Sequence, residues 1–231
     1  MIAAQVHELA PAVDGSALAL SELRMSPGAG QTVTDPACDS LLFVFAGSGS
    51  LTLGTETRSV AAGTAGLVLA GEEARIEADS PKLRVICGTI GSESDRHAPI
   101  GAREIVANLD EAGSEKATGA RSFQILFGPH NGSTRATLFA GFIPPGKAPW
   151  HYHLYDKIVW VPDGPGRLHI EDTTEELGPG STFRLRPRQV HIVENLSVSE
   201  TMTVIGIFTP AGSPSAAFLM PDVAAEYRFA G

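Results

Sequence analysis

Cysteine is nearly absent from this chain. Cys38 and Cys87 are the only two in 231 residues. They lie far apart without metal or redox spacing, which excludes a disulfide framework and a thiolate metal site and leaves two buried free thiols. Positive charge is also in short supply, with 17 Lys and Arg against 26 Asp and Glu and a net charge of −9. Phosphate backbones are held by clustered cations, so no nucleic-acid partner is expected. The one basic stretch, "FRLRPRQ" from Phe183 to Gln189, reads either as a solvated strand end or as an anion contact at a pocket mouth. Long apolar runs are missing too: nothing approaches the ~18 residues of a spanning helix, so no membrane partner is expected. The start "MIAAQVHELAPAVDG" has neither the basic opening nor the apolar stretch of a signal peptide, and a cytoplasmic location is the expectation.

What is abundant is turn chemistry. Twenty-five glycines and 16 prolines punctuate short runs such as "SLLFVFAG", "TAGLVLAG", "ATLFAGFI", "KIVWVPDG" and "MTVIGIF". Short β-branched and aromatic runs at this spacing indicate an all-β sandwich or barrel. Helix is scarce, with the best candidates at Ala102 to Gly113 and in the tail "PSAAFLMPDVAAEY" from Pro214. The length and a 43% hydrophobic content suffice for one large core or two of about 100 residues each.

An internal repeat decides between these. A shift of 117 residues lays "DSLLFVFAGSGSLTL" (Asp39 to Leu53) over "DKIVWVPDGPGRLHI" (Asp156 to Ile170) without a gap. The aspartate, the hydrophobic alternation and the G-x-G turn all coincide. The chain therefore reads as two copies of one β module, at about residues 1–100 and 121–231, joined by a linker at 101–120.

The second copy carries the chemistry. In a strand, side chains at i and i+2 share a face, so His151 and His153 of "HYH" present two imidazoles side by side. An isolated H-x-H is weak evidence of a metal. Downstream, "GPGSTFRLRPRQVHIVEN" (Gly178 to Asn195) adds a glycine turn, a proline corner and a third histidine, His191. Together these motifs resemble the cupin superfamily, through Gly146, His151, His153, Gly164, Pro187, His191 and Asn195. The resemblance covers both halves as a bicupin and implies two tandem cupin barrels of double-stranded β-helix, or jelly-roll, type. It also implies one divalent metal ion (Fe, Mn, Zn or Ni) held by His151, His153 and His191, with coordination positions left open.

One ligand departs from the pattern. The usual H-x-H-x-x-x-E places Lys157 at the carboxylate position, and Asp156, one residue early, faces the other side of the strand. An ammonium close to a divalent cation is repelled, so Lys157 either loses its proton, swings to the barrel mouth or prevents the metal from binding. A neutral Lys157 beside the metal is a candidate catalytic base. In the first copy the corresponding residues are Thr34, Pro36, Ser40 and Ala74, none of which grips a metal, so that half reads as a structural partner.

Other polar and aromatic residues receive structural readings. Trp150 and Tyr152 are expected to pack between sheets rather than stack on substrate. His130 reads as solvated, and His7 and His169 have no partner pattern. Gln124 and Arg186 are open candidates for the cavity wall. The tail from Pro210 is expected to pack outside a barrel or across a homodimer interface. The functional expectation is a metal-dependent enzyme acting on a small-molecule substrate, a dioxygenase first and a lyase, isomerase or hydrolase with Zn or Mn second. Against it stands a non-catalytic small-molecule-binding protein.

Overall fold

The computed structural model describes residues 4–117 and 120–220, and those residues form strands, turns and bends without a helix. No helix of the described residues is long and apolar enough to cross a membrane. The expected helix at Ala102 to Gly113 is replaced by a short strand, Val106–Asn108, which pairs antiparallel with Thr64–Val68. An open sheet edge with unpaired backbone groups outweighs the partial helical spacing of that segment. Next along the chain, Ser114–Lys116 pairs with Ser122–Phe127, so the expected linker adds a strand to each half. The other expected helix begins at Pro214. Its described part instead contains the strand Phe218–Leu219, and from Pro221 on it lies outside the described residues.

Each half is a two-sheet barrel of the jelly-roll kind that the cupin resemblance implies. In the first, one sheet runs Gln5–Ala10, Leu18–Met25, Leu83–Ile90, Asp39–Ala46, Thr64–Val68 and Val106–Asn108. The other runs Gly30–Thr34, Glu73–Ala78, Ser48–Leu53 and Glu56–Ala61. The second half repeats this order. Its first sheet runs Ser122–Phe127, Thr137–Ile143, Met202–Thr209, Asp156–Trp160 and Thr182–Leu185, with Ser114–Lys116 at the edge. Its second sheet runs His151–Tyr152, His191–Asn195, Gly166–Ile170 and Thr173–Leu177, with Phe218–Leu219 added beside His151–Tyr152. The repeated glycine has a steric cause in both halves. A Cβ on Gly49 would stand 2.0 Å from the Glu77 carbonyl oxygen, and one on Gly166 2.9 Å from that of Glu194. Each glycine lets its strand lie close against its neighbour.

The two barrels pack back to back through their first sheets, which explains why the hydrophobic runs are continuous instead of alternating. In Asp39–Ala46, Leu42 and Val44 fill the first barrel, while Leu41 and Phe43 join a core between the barrels. That shared core also takes Leu138, Ile158, Trp160, Ile205 and Ile207 from the second half. Phe45 meets Trp160 across the junction with ring centroids 4.5 Å apart.

A polar lock crosses the same junction. Asp156 lies on the outward face of its strand, where Ser16 donates to its Oδ2. Arg184 and Arg186 each stand 3.3 Å from that same oxygen. Arg184 also donates to the Leu18 carbonyl at 2.9 Å and the Pro11 carbonyl at 3.0 Å, and Arg186 to the Gly15 carbonyl. Arginines of the basic stretch thus bind the first barrel and one carboxylate, which replaces both sequence readings of that segment. Asp156→Ala removes the one carboxylate both guanidiniums share. The expected result is a loss of about 1–3 kcal/mol of unfolding free energy, read as a lower urea midpoint. An unchanged midpoint would show that the lock contributes nothing.

Candidate metal centre

Alternation along one chain segment builds the site. Among residues 151 to 159, the side chains of His151, His153, Tyr155, Lys157 and Val159 all line one cavity inside the second barrel. Those between them point elsewhere: Tyr152 stacks on Phe218, Leu154 is exposed, and Asp156 and Ile158 face the first barrel. His191 arrives from the neighbouring strand, in direct antiparallel register with His151. The three imidazoles are buried, with ring centroids 4.4 Å (His151 to His191), 5.0 Å (His151 to His153) and 5.3 Å (His153 to His191) apart. One ring nitrogen from each lies within 4.8 Å of the others. Nitrogens held by one ion at ~2.1 Å stand ~3–3.5 Å from one another, so closing on an ion draws the rings slightly inward.

Backbone carbonyls decide which nitrogen each ring offers. Nδ1 of His151 contacts the Pro149 oxygen at 2.9 Å, that of His191 the Gln189 oxygen at 2.9 Å, and that of His153 the Ala216 oxygen at 3.1 Å. A carbonyl only accepts, so each Nδ1 carries the proton and each Nε2 keeps a lone pair. Burial holds the rings neutral. It lowers the His151 pKa to about 4, with Lys157 and Arg121 adding repulsion. Burial likewise lowers His153 to about 2 and pushes His191 far down, and Lys157 reinforces both. Three neutral donors with lone pairs free are the state a divalent ion takes up, so the chemistry of the triad fits a metal.

Lys157 stands inside the same cavity, 7% exposed, with its Nζ 5.9 Å from the Tyr155 ring centroid. It does not snorkel to solvent. Burial lowers its pKa to about 7, and the Arg121 guanidinium adds to the shift. Arg121 also lines the cavity and donates to the Val193 carbonyl. The remaining walls are apolar, including Phe123, Phe139, Phe183, Val193 and Val204. There are about 90 Å³ of room for the centres of water-sized groups. The sequence reading thus brings His151, His153, His191 and Lys157 together and leaves Asp156 outside.

Three participants were missed. Tyr155 continues the i+2 series from His153, and its ring stacks on that imidazole with centroids 4.5 Å apart. The parity rule that selected the histidines also reaches it. Arg121 gives no local signal, because it comes from the far side of the barrel. The segment after Pro210 was expected outside a barrel, yet Pro214 and Ala217 line the cavity and Ala216 fixes His153. Its backbone pairs with His151–Tyr152, so it completes the wall instead of covering it.

The other candidates fall outside the cavity. Gln124 donates to the Leu109 and Ala112 carbonyls. His169 meets Glu194 at 2.7 Å and packs edge-on against Trp150, His130 is exposed, and Nε2 of His7 has no partner among the described residues. Cys87 is buried, with its thiol pushed up to about 11, and Cys38 is half-buried. In the first barrel the equivalent space is filled by Val33, Leu42, Val44, Leu51, Ala74 and Ile76. Among the described residues the triad is the one His, Cys, Asp and Glu group spaced to hold a metal.

Residues 140–208, which include the triad, match the cupin domain. No curated protein matches the chain in sequence. In fold it is similar to a putative glyoxylate-induced protein of Pseudomonas aeruginosa, with TM-score 0.74, 15% identity, and 90% of this chain and 80% of that one covered. It is similar to the protein Ylba of E. coli, of the DUF861 family model, with TM-score 0.73, 10% identity and coverage of 90% and 83%. It is also similar to a point mutant of Bacillus subtilis oxalate decarboxylase, with TM-score 0.72, 13% identity and coverage of 89% and 72%. At these identities the likeness is one of fold: a pair of cupin barrels, one of them holding three convergent histidines.

The buried lysine has a measurable cost. Its folded pKa of about 7 lies below the unfolded value of 10.5. Between those two pH values the unfolded chain holds a proton that the folded chain lacks, so the cost grows as pH falls and is complete below about 7. Lys157→Met is expected to raise metal-free unfolding free energy at pH 7 by on the order of 4 kcal/mol, and by much less at pH 10. Urea unfolding of both proteins at the two pH values measures this. An equal gain at both would place the ammonium in water.

Proposed function

We propose that the second barrel is a divalent-metal-dependent enzyme acting on a small organic molecule, and that the chain works as a bicupin whose first barrel is structural. The observation that carries this reading is the tautomer control of the triad. All three Nδ1 atoms are tied to backbone carbonyls, which leaves three Nε2 lone pairs converging on an enclosed cavity. His151, His153 and His191 would hold the ion. When bound, it supplies Lewis acidity and open positions for substrate and a second reactant, chemistry suited to Fe, Mn, Zn or Ni. Bacillus subtilis oxalate decarboxylase, a protein of this fold, has Mn(II) centres.

The chain's own contributions follow from the cavity. Its apolar walls exclude bulk water and strengthen every polar interaction inside. Lys157 Nζ, with a pKa of about 7, is suited to accept and return a proton at neutral pH. A three-histidine site with open positions in an apolar cavity favours dioxygen chemistry over hydrolysis, and a dioxygenase is the reaction class we assign. A second reading has its own observation. Two cationic side chains and no acidic one line the cavity among the described residues, which opposes a divalent ion and favours a protein that binds small molecules without catalysis.

Metal titration separates the two. In the enzyme reading, Mn(II), Fe(II), Ni(II) or Zn(II) at a hundred times its Kd stabilises the stripped protein by about 2.7 kcal/mol, and His191→Ala abolishes the effect. The iron-loaded protein then consumes dioxygen with a chelating diketone, thiol or catechol. Thermal midpoints indifferent to all four metals would sink the enzyme. Metal binding without oxygen uptake would sink the dioxygenase alone.

A further inference from the structure

The cavity's lining is one-sided in charge. Its ionisable walls are Arg121, Lys157, the three histidines and Tyr155, whose hydroxyl burial holds protonated. No aspartate or glutamate lines it among the described residues, in a chain whose net charge is −9. The nearest carboxylate along the chain, Asp156, is turned to the first barrel and engaged with Ser16, Arg184 and Arg186. A divalent ion on the triad would add two positive charges beside Lys157, to a lining that holds no acid among the described residues. Charge buried in low dielectric without a counter-charge is strongly unfavourable, so an anion from outside the chain is called for.

We propose that the ligand of this cavity is a small organic carboxylate, whose negative charge takes the place left by Lys157 where a chain-borne carboxylate would otherwise face the three histidines. The proposal rests on the metal-centre reading above for the position of the anion, and on Lys157 for its charge. Size narrows the class. At ~10–15 Å³ per water-sized group, the room available admits about six to nine such groups, one of them taken by the ion. Aromatic and aliphatic walls suit a short hydrocarbon or aryl body attached to the carboxylate, with the charged end toward Lys157 and the triad. A neutral amide of the same shape brings no charge, and a cationic amine is repelled.

Linkage makes the idea measurable without turnover. If the carboxylate and the metal each neutralise what the other leaves exposed, each tightens the other by the same factor. The stripped protein is titrated with Co(II), read by its visible absorption, in buffer alone, with propionate and with propionamide. The expected result is that propionate tightens Co(II) binding about tenfold or more and alters the spectrum, and that propionamide does neither. Lys157→Glu, which gives the chain its own carboxylate, is expected to bind Co(II) tightly in plain buffer and to lose the response to propionate. Lys157→Met, a variant with no new charge, is expected to retain Co(II) binding with a weakened propionate response.

Equal Co(II) affinity in all three solutions, or propionamide acting as well as propionate, overturns the carboxylate and leaves the metal centre standing. If Co(II) binds under no condition, the metal reading fails. The carboxylate is then judged on the metal-free protein, where propionate but not propionamide must raise the thermal midpoint and Lys157→Met must remove that rise.

Discussion

The two-residue alternation of the strand Asp156–Trp160, set between two barrels that both need its side chains, governs the rest of this structure. Because the barrels pack back to back, neither face of that strand meets water. One face is committed to the inter-barrel core and the Asp156 lock, the other to the cavity. A one-residue slip would carry Asp156 in among the histidines and Lys157 into the apolar junction, exchanging every charge for its opposite. Register is therefore fixed on both sides at once, by Ile158 and Trp160 against the first barrel and by Val159 against the interior of the second. The same argument explains why Asp39–Ala46, its counterpart, reads as an unbroken hydrophobic run.

The barrels differ in what fills that common frame. The first is packed with aliphatic side chains, which stabilise it through burial and leave no room for a ligand. The second divides its interior: Ile143, Leu168, Leu177 and Met202 belong to one apolar cluster, Phe123, Phe139, Tyr155 and Phe208 to another, and the polar cavity touches both. Ionisable groups without an acid among the described lining residues weaken the fold where it is otherwise strongest. A well-packed neighbour compensates, so the shared core lets the second barrel tolerate a site that a lone barrel of its size would hold less easily.

Much of this was legible in sequence, for identifiable reasons. The repeat at 117 residues, the i+2 rule at His151 and His153 and the one-residue offset of Asp156 are local geometry, and local geometry transfers from chain to structure. The tandem barrels and the convergence of His191 followed the cupin resemblance. What stayed hidden depends on closure in three dimensions. Arg121 enters the cavity from across the barrel. Val106–Asn108 became a strand because a sheet edge was waiting for it, which no window of sequence reports. The arginines of "FRLRPRQ" looked like candidates for a ligand because Ser16, Gly15 and Leu18, their actual partners, lie about 170 residues away.

The tail shows why closure matters chemically. Two of the three carbonyls that set the triad's tautomers, those of Pro149 and Gln189, belong to residues two positions before the histidines they hold, so two rings are oriented by their own strands. The third, Ala216, comes from a segment that pairs with His151–Tyr152 only once the chain has passed through Met202–Thr209. His153 thus acquires its orientation last, from a stretch that also places Pro214 against Tyr155 and Phe218 against Tyr152. Arg188 donates its backbone N–H to the His153 carbonyl at 2.7 Å, holding that residue from the other side. A donor set of two strand-fixed rings and one ring oriented by a later segment couples the centre to the position of residues 213–220. The histidine nearest Tyr155 is therefore the one whose geometry the rest of the chain decides.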